Sequence, residues 1–382
     1  MKGFILATAV LMSTIVGVGM FGLPYVGTKS GFLIIAIFLF ILTIAMTLIH
    51  LFYGEIISRT KGKHRLPGYA GRYLGERAKK IVGFFVIGGF YGSLLVYIVV
   101  GGSFLYTILS PIVNLPLIVF NLVFFIIGSA AVYFGLKLIT GLDLLMGLFL
   151  ILIVFLFLYF GFNYIDISNL KTINWRNAIV PYGVILYSLA GLVAVPEIRN
   201  ILSDTEKKKH YKKVIILGTI IPAILYLVFI ATTIGLTGKD TSLNAVSGLI
   251  DVLGSRVVLL GAVFGFLATI TSFFALGLSL KETYLNDFGF RKNWAWFITC
   301  SIPLILFVLG VQNFVIVITI LGALMGIVEC VSIVLIHRKS IDLGDKEPDY
   351  KVRIPFVIRY LIIAVFVMGF VYTIFSLIFS NQ

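Results

Sequence analysis

The sequence predicts an all-α integral membrane protein, and three observations support that fold class. The chain of 382 residues is 60% hydrophobic and 12% charged, with a mean hydropathy of +1.11. Apolar segments recur along its whole length, and each approaches the roughly 20 residues that cross about 30 Å of hydrocarbon. Lysine and arginine residues are concentrated between those segments, as in proteins that cross a membrane several times. A soluble fold would show shorter apolar segments and a larger charged fraction.

Eleven of these segments are predicted to be transmembrane helices. The first begins after Met1-Lys2 in the manner of a signal peptide. It has no small-residue cleavage site and continues through Pro24, so we expect it to be the first transmembrane helix. No separate soluble domain fits between the segments, and residues 1–382 are expected to form one domain. The predicted helices cover residues 4–27, 31–58, 80–109, 115–136, 142–162, 178–201, 213–236, 256–286, 293–311, 313–337 and 354–379.

The basic residues predict the orientation of the chain. The net charge of +14 arises in short loops between apolar segments, so nucleic-acid binding is not expected. A cytoplasmic N-terminus places all but five of the 30 lysine and arginine residues on the cytoplasmic side. Eleven helices then make the C-terminus extracellular, in the plasma or inner membrane. The five exceptions are Lys29, Lys171, Arg176, Lys239 and Arg256.

Two five-helix repeats of opposite orientation are predicted, at residues 4–162 and 178–337, with an extra eleventh helix at 354–379. The loops after the second and seventh helices are each long enough to hold an amphipathic helix, at 66–75 and 242–253. One loop is expected on each side of the membrane, as inverted repeats require. Two unrelated amphipathic loops would also account for this pair.

Glycine and proline interrupt corresponding helices of the two predicted repeats. The first helix contains IVGVGMFGLP at residues 15–24, and the sixth contains YSLAG at residues 187–191, followed by Pro196. Both residue types weaken a helix. Irregular backbone persists in a membrane only where it is buried or lines a cavity, so corresponding interruptions indicate the substrate site of a transporter. The alternative is that these glycines only allow neighbouring helices to pack closely.

The interruptions also predict how a substrate would be held. Free backbone N–H groups at a helix N-terminus suit an anion, and free carbonyls suit a cation. We expect a substrate carboxylate near Val18 and Gly19, and a substrate ammonium near the carbonyls of Tyr187 and Ser188. The full set of candidate substrate-binding residues is Thr14, Val16, Gly17, Val18, Gly19, Tyr187, Ser188, Leu189, Ala190 and Gly191.

The stretch IVGVGMFGLPY at residues 15–25, followed by Ser30-Gly31-Phe32, resembles the first helix of a known transporter group. That group comprises the amino acid/auxin permease family and the bacterial aromatic amino acid permeases of the amino acid/polyamine/organocation superfamily. The resemblance continues through residues 188–197 and the eleven-helix layout. It implies amino acid transport and the leucine-transporter-type fold, a five-plus-five inverted repeat with one extra helix.

The eighth predicted helix carries Ala268, Thr271 and Ser272 on one face, at positions i, i+3 and i+4. Hydroxyl and carbonyl oxygens suit a hard cation. In sodium-coupled members of the fold, such a group faces two carbonyls of the first helix, here at Ser13 and Val16. Sodium is therefore the expected coupling ion, and no other cofactor is expected. Membrane hydroxyls also bond carbonyls one turn back, so proton-coupled symport and sodium-independent exchange stay open.

The remaining chemistry of the sequence is sparse. Glu329 in the tenth helix is a candidate for proton coupling, for contact with a cationic substrate, or for a buried structural pair. Cys300 and Cys330 lie in apolar segments and predict neither a disulfide nor a metal site. No catalytic constellation, pore filter or signalling tail indicates an enzyme, a channel or a nutrient sensor. The expected partners are the lipid bilayer and a neutral amino acid, with aromatic or large side chains favoured by the resemblance. The oligomeric state is not predicted.

Overall fold

The computed structural model describes residues 2–62, 64–135, 141–286 and 289–379, which form α-helices joined by short connections and contain no β-strand. The helices are α1 (Lys2–Ile15), α2 (Gly19–Ser30), α3 (Phe32–Arg59), α4 (Leu66–Leu74), α5 (Glu76–Leu109), α6 (Leu117–Phe134), α7 (Gly141–Gly161), α8 (Ile167–Leu170), α9 (Pro181–Ser188), α10 (Ala194–Ile201), α11 (Asp204–Thr237), α12 (Ile250–Leu253), α13 (Ser255–Asn286), α14 (Lys292–Val308), α15 (Phe314–Leu343) and α16 (Phe356–Phe379).

Several of these helices have the length and composition of membrane spans. Seven of those described are long and apolar enough to cross a bilayer, and α1 with α2 passes the same test as one segment bent by 54°. Large apolar side chains are exposed on the outer surface, including Phe40 (69%), Phe84 (74%) and Tyr159 (78%). Lipid rather than water accommodates such a surface. The all-α membrane fold class is confirmed, whereas the number of eleven spans stays a prediction.

Both predicted helix interruptions are present. α1 ends at Ile15 and α2 begins at Gly19, where Val18 provides no side-chain cap. The second interruption separates α9 from α10 between Ser188 and Ala194. Pro196 lies in the first turn of α10, where its missing N–H group has no partner to lose. The chain therefore breaks helix geometry at the two places where glycine and proline are densest.

The two helices predicted in loops, at residues 66–75 and 242–253, are formed to different extents. α4 follows the predicted span closely, but the 242–253 segment is helical only in its second half. The side-chain oxygen of Asn244 accepts hydrogen bonds from the N–H groups of Val246 (3.2 Å) and Ser247 (3.0 Å), and Ala245 has a φ of 59°. A turn of this kind competes with helix formation. The prediction of a helix from Ser242 onward was therefore wrong for its first residues.

Glycine allows the interrupted helix α9 to cross α15 with backbone against backbone. A side chain at Gly322 would overlap the carbonyl oxygen of Gly183, and one at Gly183 would overlap that of Thr319. α2 packs on α9 and α11, while α1 packs on α10 and α11. The two interrupted segments are thereby held side by side in the interior.

The end of α3 and the end of α15 lie on the same side of the membrane. The carbonyl oxygen of Arg59 accepts a hydrogen bond from the backbone N–H of Asp345 at 2.8 Å. α3 returns across the bilayer after α1 and α2 have crossed it, so this side is also the side of the N-terminus. We refer to it as the N-terminal side, and to the other as the far side.

Candidate functional site

A cavity of about 340 Å³ lies where the two interrupted helices meet. Residues from the end of α1 to the start of α2 line one wall, and the end of α9 with the segment after it lines another. α5, α13 and α15 complete the enclosure. The volume lies at the lower end of the range of small-molecule sites. A small solute therefore fits between the elements that the sequence singled out.

Most of the candidate substrate-binding residues line this cavity. Ser188, Leu189 and Gly191 do not: Leu189 is fully buried, and the Ser188 hydroxyl donates a hydrogen bond to the carbonyl of Val184 at 2.7 Å. Gly191 packs against Ile15. The predicted residues that do line the cavity are Thr14, Val16, Gly17, Val18, Gly19, Tyr187 and Ala190.

The first interruption leaves backbone donors beside the cavity. The N–H groups of Gly17, Val18 and Gly19 make no backbone hydrogen bond to a described residue, and helical bonding resumes with the N–H of Met20 and the carbonyl of Gly17 at 3.3 Å. Three successive free donors at the N-terminus of α2 form a site for an anion. A carboxylate in this position would complete the start of the helix.

The two interruptions touch each other at Gly19. A Cβ atom at this position would lie 2.6 Å from the hydroxyl oxygen of Ser188 and 2.9 Å from its Cα atom. Contacts below 3.0 Å are too close for a real side chain. Gly19 is therefore required where α2 begins, because only hydrogen leaves room for the end of α9.

Tyr226 of α11 joins the two interruptions, and it is not among the site residues predicted from the sequence. Its side chain is fully buried, and its hydroxyl lies 2.9 Å from the carbonyl oxygen of Ile15 and 3.0 Å from that of Ser188. Both carbonyls belong to the last residue of a helix that stops in the membrane. A tyrosine near the middle of a mostly aliphatic helix was the only signal available in the sequence.

The cavity opens toward the N-terminal side. Among its lining residues, Thr14, Ala190 and Val193 are exposed, whereas Val18 and Phe264 toward the far side are 2% and 5% exposed. Within the described part of the chain, an access route to water therefore leads from the helix interruptions to the N-terminal side.

Four buried aromatic rings close the far side. Phe21 of α2 packs edge-on against Phe104 of α5, with ring centroids 4.8 Å apart. Phe229 of α11 lies 6.4 Å from both Phe21 and Phe157 of α7. Each of these side chains is at most 2% exposed. The rings bring together helices from different parts of the bundle and separate the cavity from the far side.

All five candidate sodium ligands line the same cavity: Ser13, Val16, Ala268, Thr271 and Ser272. The hydroxyl of Thr271 lies 2.9 Å from the carbonyl oxygen of Leu267 and 3.1 Å from that of Ala268, and the hydroxyl of Ser13 lies 3.0 Å from that of Val10. These hydroxyls use their protons within their own helices. Their oxygen lone pairs stay available to a cation, so the residues fit sodium chemically.

Glu329 is the one charged side chain among the described residues that line the cavity. It lies on α15, two helical turns or about 10 Å from Gly322 toward the N-terminal side. The predicted alternative of a buried structural pair finds no support, because Glu329 makes no ion pair or hydrogen bond with a described residue. Its carboxylate faces the cavity instead.

Comparison with known proteins identifies the family. The model of the tryptophan/tyrosine permease family matches residues 1–376. The chain belongs to this family. The permease is also 22% identical over 304 residues to "Glutamine transporter 2" of Aliivibrio fischeri, covering 78% of each chain.

Solved structures show the fold of the permease. It matches the inward-facing conformation of Mhp1 with a TM-score of 0.69 and 16% identity, covering 87% of this chain and 76% of that one. The match to MhsT in complex with L-phenylalanine has a TM-score of 0.64 and 15% identity, covering 98% of each. The match to the manganese transporter of Eremococcus coleocola has a TM-score of 0.72 and 11% identity, covering 100% of this chain and 88% of that one. The permease is therefore a secondary transporter of the leucine-transporter-type fold, not an enzyme.

Proposed function

We propose that this permease is a sodium-coupled symporter of a neutral amino acid, with an aromatic or otherwise large side chain. One observation carries the proposal: the free N–H groups of the first interruption and the end of the second interrupted helix line a single cavity, whose described lining contains no basic residue and one acid. Backbone donors and acceptors bind the carboxylate and ammonium that all amino acids share. The apolar remainder of the cavity favours an uncharged side chain.

The geometry supports a role for each group in this proposal. The free N–H groups of Gly17, Val18 and Gly19 bind the substrate carboxylate. Carbonyls near Tyr187 bind the ammonium, and Tyr97, which interacts with Tyr187 and Ser272, shapes the pocket between the interruptions and α13. The family name, the glutamine transporter and the phenylalanine complex of MhsT all concern uncharged amino acids, which supports the same substrate class.

Sodium binds in this proposal between α1 and α13. Its ligands are the carbonyl oxygens of Ser13, Val16 and Ala268 and the hydroxyl oxygens of Thr271 and Ser272. Sodium at this place would hold the end of α1 against α13, so the ion and the substrate would stabilise the same arrangement of the interrupted helix. Sodium acts in this proposal only through its binding energy and takes part in no chemical reaction.

Transport proceeds by alternating access. We propose that the N-terminal side is cytoplasmic, because most basic residues lie there, so that the C-terminus is extracellular and the cavity is open to the cytoplasm. The bundle of α1, α2, α3, α9, α10 and α11 rocks against the remaining helices. In the opposite state the rings of Phe21 and Phe229 move away from those of Phe104 and Phe157, and the cavity opens to the far side.

A thermal-shift panel tests the substrate and the ion together. The purified permease is heated with each of the twenty amino acids, once in sodium chloride and once in potassium chloride. A ligand that binds only the folded state raises the apparent melting temperature. We expect at least one large neutral amino acid to do so, and more strongly in sodium. Equal shifts in both salts would favour proton coupling or sodium-independent exchange, and no shift with any amino acid would contradict the proposed substrate class.

A further inference from the structure

Glu329 has a position that the proposed binding sites do not explain. Its carboxylate lies in the part of the cavity nearest the N-terminal side, which we call the vestibule and define by Ser279, Met325, Gly326 and Glu329. The substrate and sodium sites proposed above lie deeper, at the helix interruptions. Glu329 therefore contacts the access route rather than the bound ligands.

No basic side chain neutralises Glu329 within the described structure. Tyr53 of α3 and the adjacent Cys330 are the titratable groups that interact with it. Charged groups at the ends of the helices packed against α15 have other partners, and Arg65, immediately before α4, pairs with Glu197 at 3.0 Å. His337 and Arg59 bind Glu55, and Arg72 binds Asp345.

Two further basic side chains on and beside these helices have other contacts. Arg359 of α16 lies over the ring of Phe52. Across the cavity, the ammonium of Lys281 is bound by the carbonyl of Val132. The tyrosines on α4, α5 and α9, the remaining helices packed against α15, are Tyr69, Tyr73, Tyr91, Tyr97, Tyr106, Tyr182 and Tyr187.

Closing the vestibule would change the surroundings of this carboxylate. In the open state, water that enters the cavity solvates the charge. Alternating access requires a state in which this side is shut, and there an ionised carboxylate without a cationic partner would be strongly unfavourable. A proton removes the charge at no steric cost. A metal ion would need several oxygen ligands, and beside Glu329 the vestibule side chains offer one hydroxyl, that of Ser279.

We infer that Glu329 is a proton-binding site that controls closure of the vestibule: this side of the transporter shuts only after the carboxylate has taken up one proton from the water on the N-terminal side. This inference rests on the proposed alternating-access function. It adds a proton-dependent step to a cycle whose substrate and sodium sites lie elsewhere.

The test measures exchange of tritiated L-tryptophan in proteoliposomes of known protein orientation. The pH on the vestibule side is varied from 5.5 to 8.5, while the other side is kept at pH 7. One proton per closure makes the wild-type rate fall by up to about tenfold for each pH unit once the carboxylate ionises. Glu329→Gln should change by less than about twofold over the same range, because its side chain is always neutral.

Three controls make the result specific. Glu329→Asp keeps a carboxyl group and should keep the pH dependence. Ser279→Ala changes another polar side chain of the vestibule and should also keep it. A tryptophan-induced thermal shift of Glu329→Gln shows that this variant is folded and binds substrate.

The outcomes separate this inference from the proposed function. A wild-type rate without pH dependence, or a Glu329→Gln rate with the wild-type dependence, would overturn the inference and leave amino acid transport intact. Failure of the wild-type protein to exchange any amino acid would remove the proposed function and the inference together.

Discussion

The hydroxyl of Tyr226 lies 2.9 Å from the carbonyl oxygen of Ile15, the last residue of the first half of an interrupted membrane helix. The same hydroxyl lies 3.0 Å from the carbonyl oxygen of Ser188, at the end of the second interrupted helix. A carbonyl freed by a helix end within a membrane needs a partner. The single hydroxyl proton of Tyr226 is shared between the two carbonyl oxygens, so this side chain couples the positions of the two interruptions.

Tyr226→Phe removes this hydroxyl with little change of shape. Loss of a buried hydrogen bond that leaves an acceptor without a partner costs about 1–3 kcal/mol. We expect a lower free energy of unfolding and a Kd for L-tryptophan that is raised about tenfold, or about 1.4 kcal/mol. Thermal denaturation with and without L-tryptophan measures both quantities.

The matched control is Tyr211→Phe on the same helix. Tyr211 is also fully buried, and its hydroxyl donates to the carbonyl of Val195 at 3.0 Å, outside the cavity lining. This variant should lose comparable stability and keep the wild-type Kd. Equal effects of the two variants on the Kd would contradict a specific role of Tyr226 at the interruptions.

Gly19→Ala should weaken substrate binding, because its methyl group would lie 2.6 Å from the Ser188 hydroxyl oxygen and 2.9 Å from the Ser188 Cα atom. The start of α2 and its free N–H groups would have to move away from α9. Binding of L-tryptophan, measured by equilibrium titration, should fall by at least about tenfold. Gly88→Ala is the control, since no atom lies within 4 Å of the added methyl group. Wild-type affinity in Gly19→Ala would show that the contact is not required.

Thr271→Ala tests the proposed sodium site. It removes one cation ligand and leaves the substrate groups in place, so we expect the sodium concentration for half-maximal tryptophan binding to rise at least about tenfold. Thr269→Ala is the control on the same helix: its hydroxyl bonds the carbonyl of Gly265 at 2.6 Å, and it does not line the cavity. An unchanged sodium dependence in Thr271→Ala would place the ion elsewhere or exclude it.

Glu55→Ala should destabilise the fold on the N-terminal side. The carboxylate is 1% exposed and accepts hydrogen bonds from Arg59 (2.7 and 2.9 Å), His337 (3.0 Å) and the backbone N–H of Val352 (2.7 Å). Removal of one partner from a buried ionic group costs about 3–5 kcal/mol. Denaturant titration should show a loss of that size in the free energy of unfolding.

Glu197→Ala is the control for this prediction. Its carboxylate pairs with Arg65 at 3.0 Å, but both side chains are about half exposed. Exposed pairs contribute about 0–1 kcal/mol. Similar losses in the two variants would show that the burial of Glu55 has no energetic effect.

The helix interruptions could be predicted from the sequence because their cause is local. Glycine and proline disfavour a continuous helix wherever they cluster, so residues 15–24 and 187–196 carry their own signal. Helical spacing also placed Ala268, Thr271 and Ser272 on one face, and all three line the cavity. The predicted repeats place the two interruptions at corresponding positions, which predicts that they lie close together.

Contacts between distant helices could not be predicted in this way. The rotation of α11 that aims Tyr226 at Ile15 and Ser188 depends on packing against several helices at once, and no periodicity in one segment reports it. The same limit applies to Glu329, whose lack of a partner depends on where the basic residues of other helices lie. The sequence correctly located the interruption at Ser188. It did not show that the Ser188 hydroxyl turns away from the cavity and donates a hydrogen bond to the carbonyl of Val184.

Uptake into proteoliposomes tests the central claim most directly. Purified permease is reconstituted, and accumulation of tritiated L-tryptophan, L-tyrosine and L-glutamine is followed under an inward sodium gradient, an inward proton gradient, or neither. We expect at least one of these amino acids to accumulate above its external concentration under the sodium gradient, and to equilibrate without it. Uptake that never exceeds that of protein-free liposomes, for these and the remaining standard amino acids under both gradients, would contradict the account.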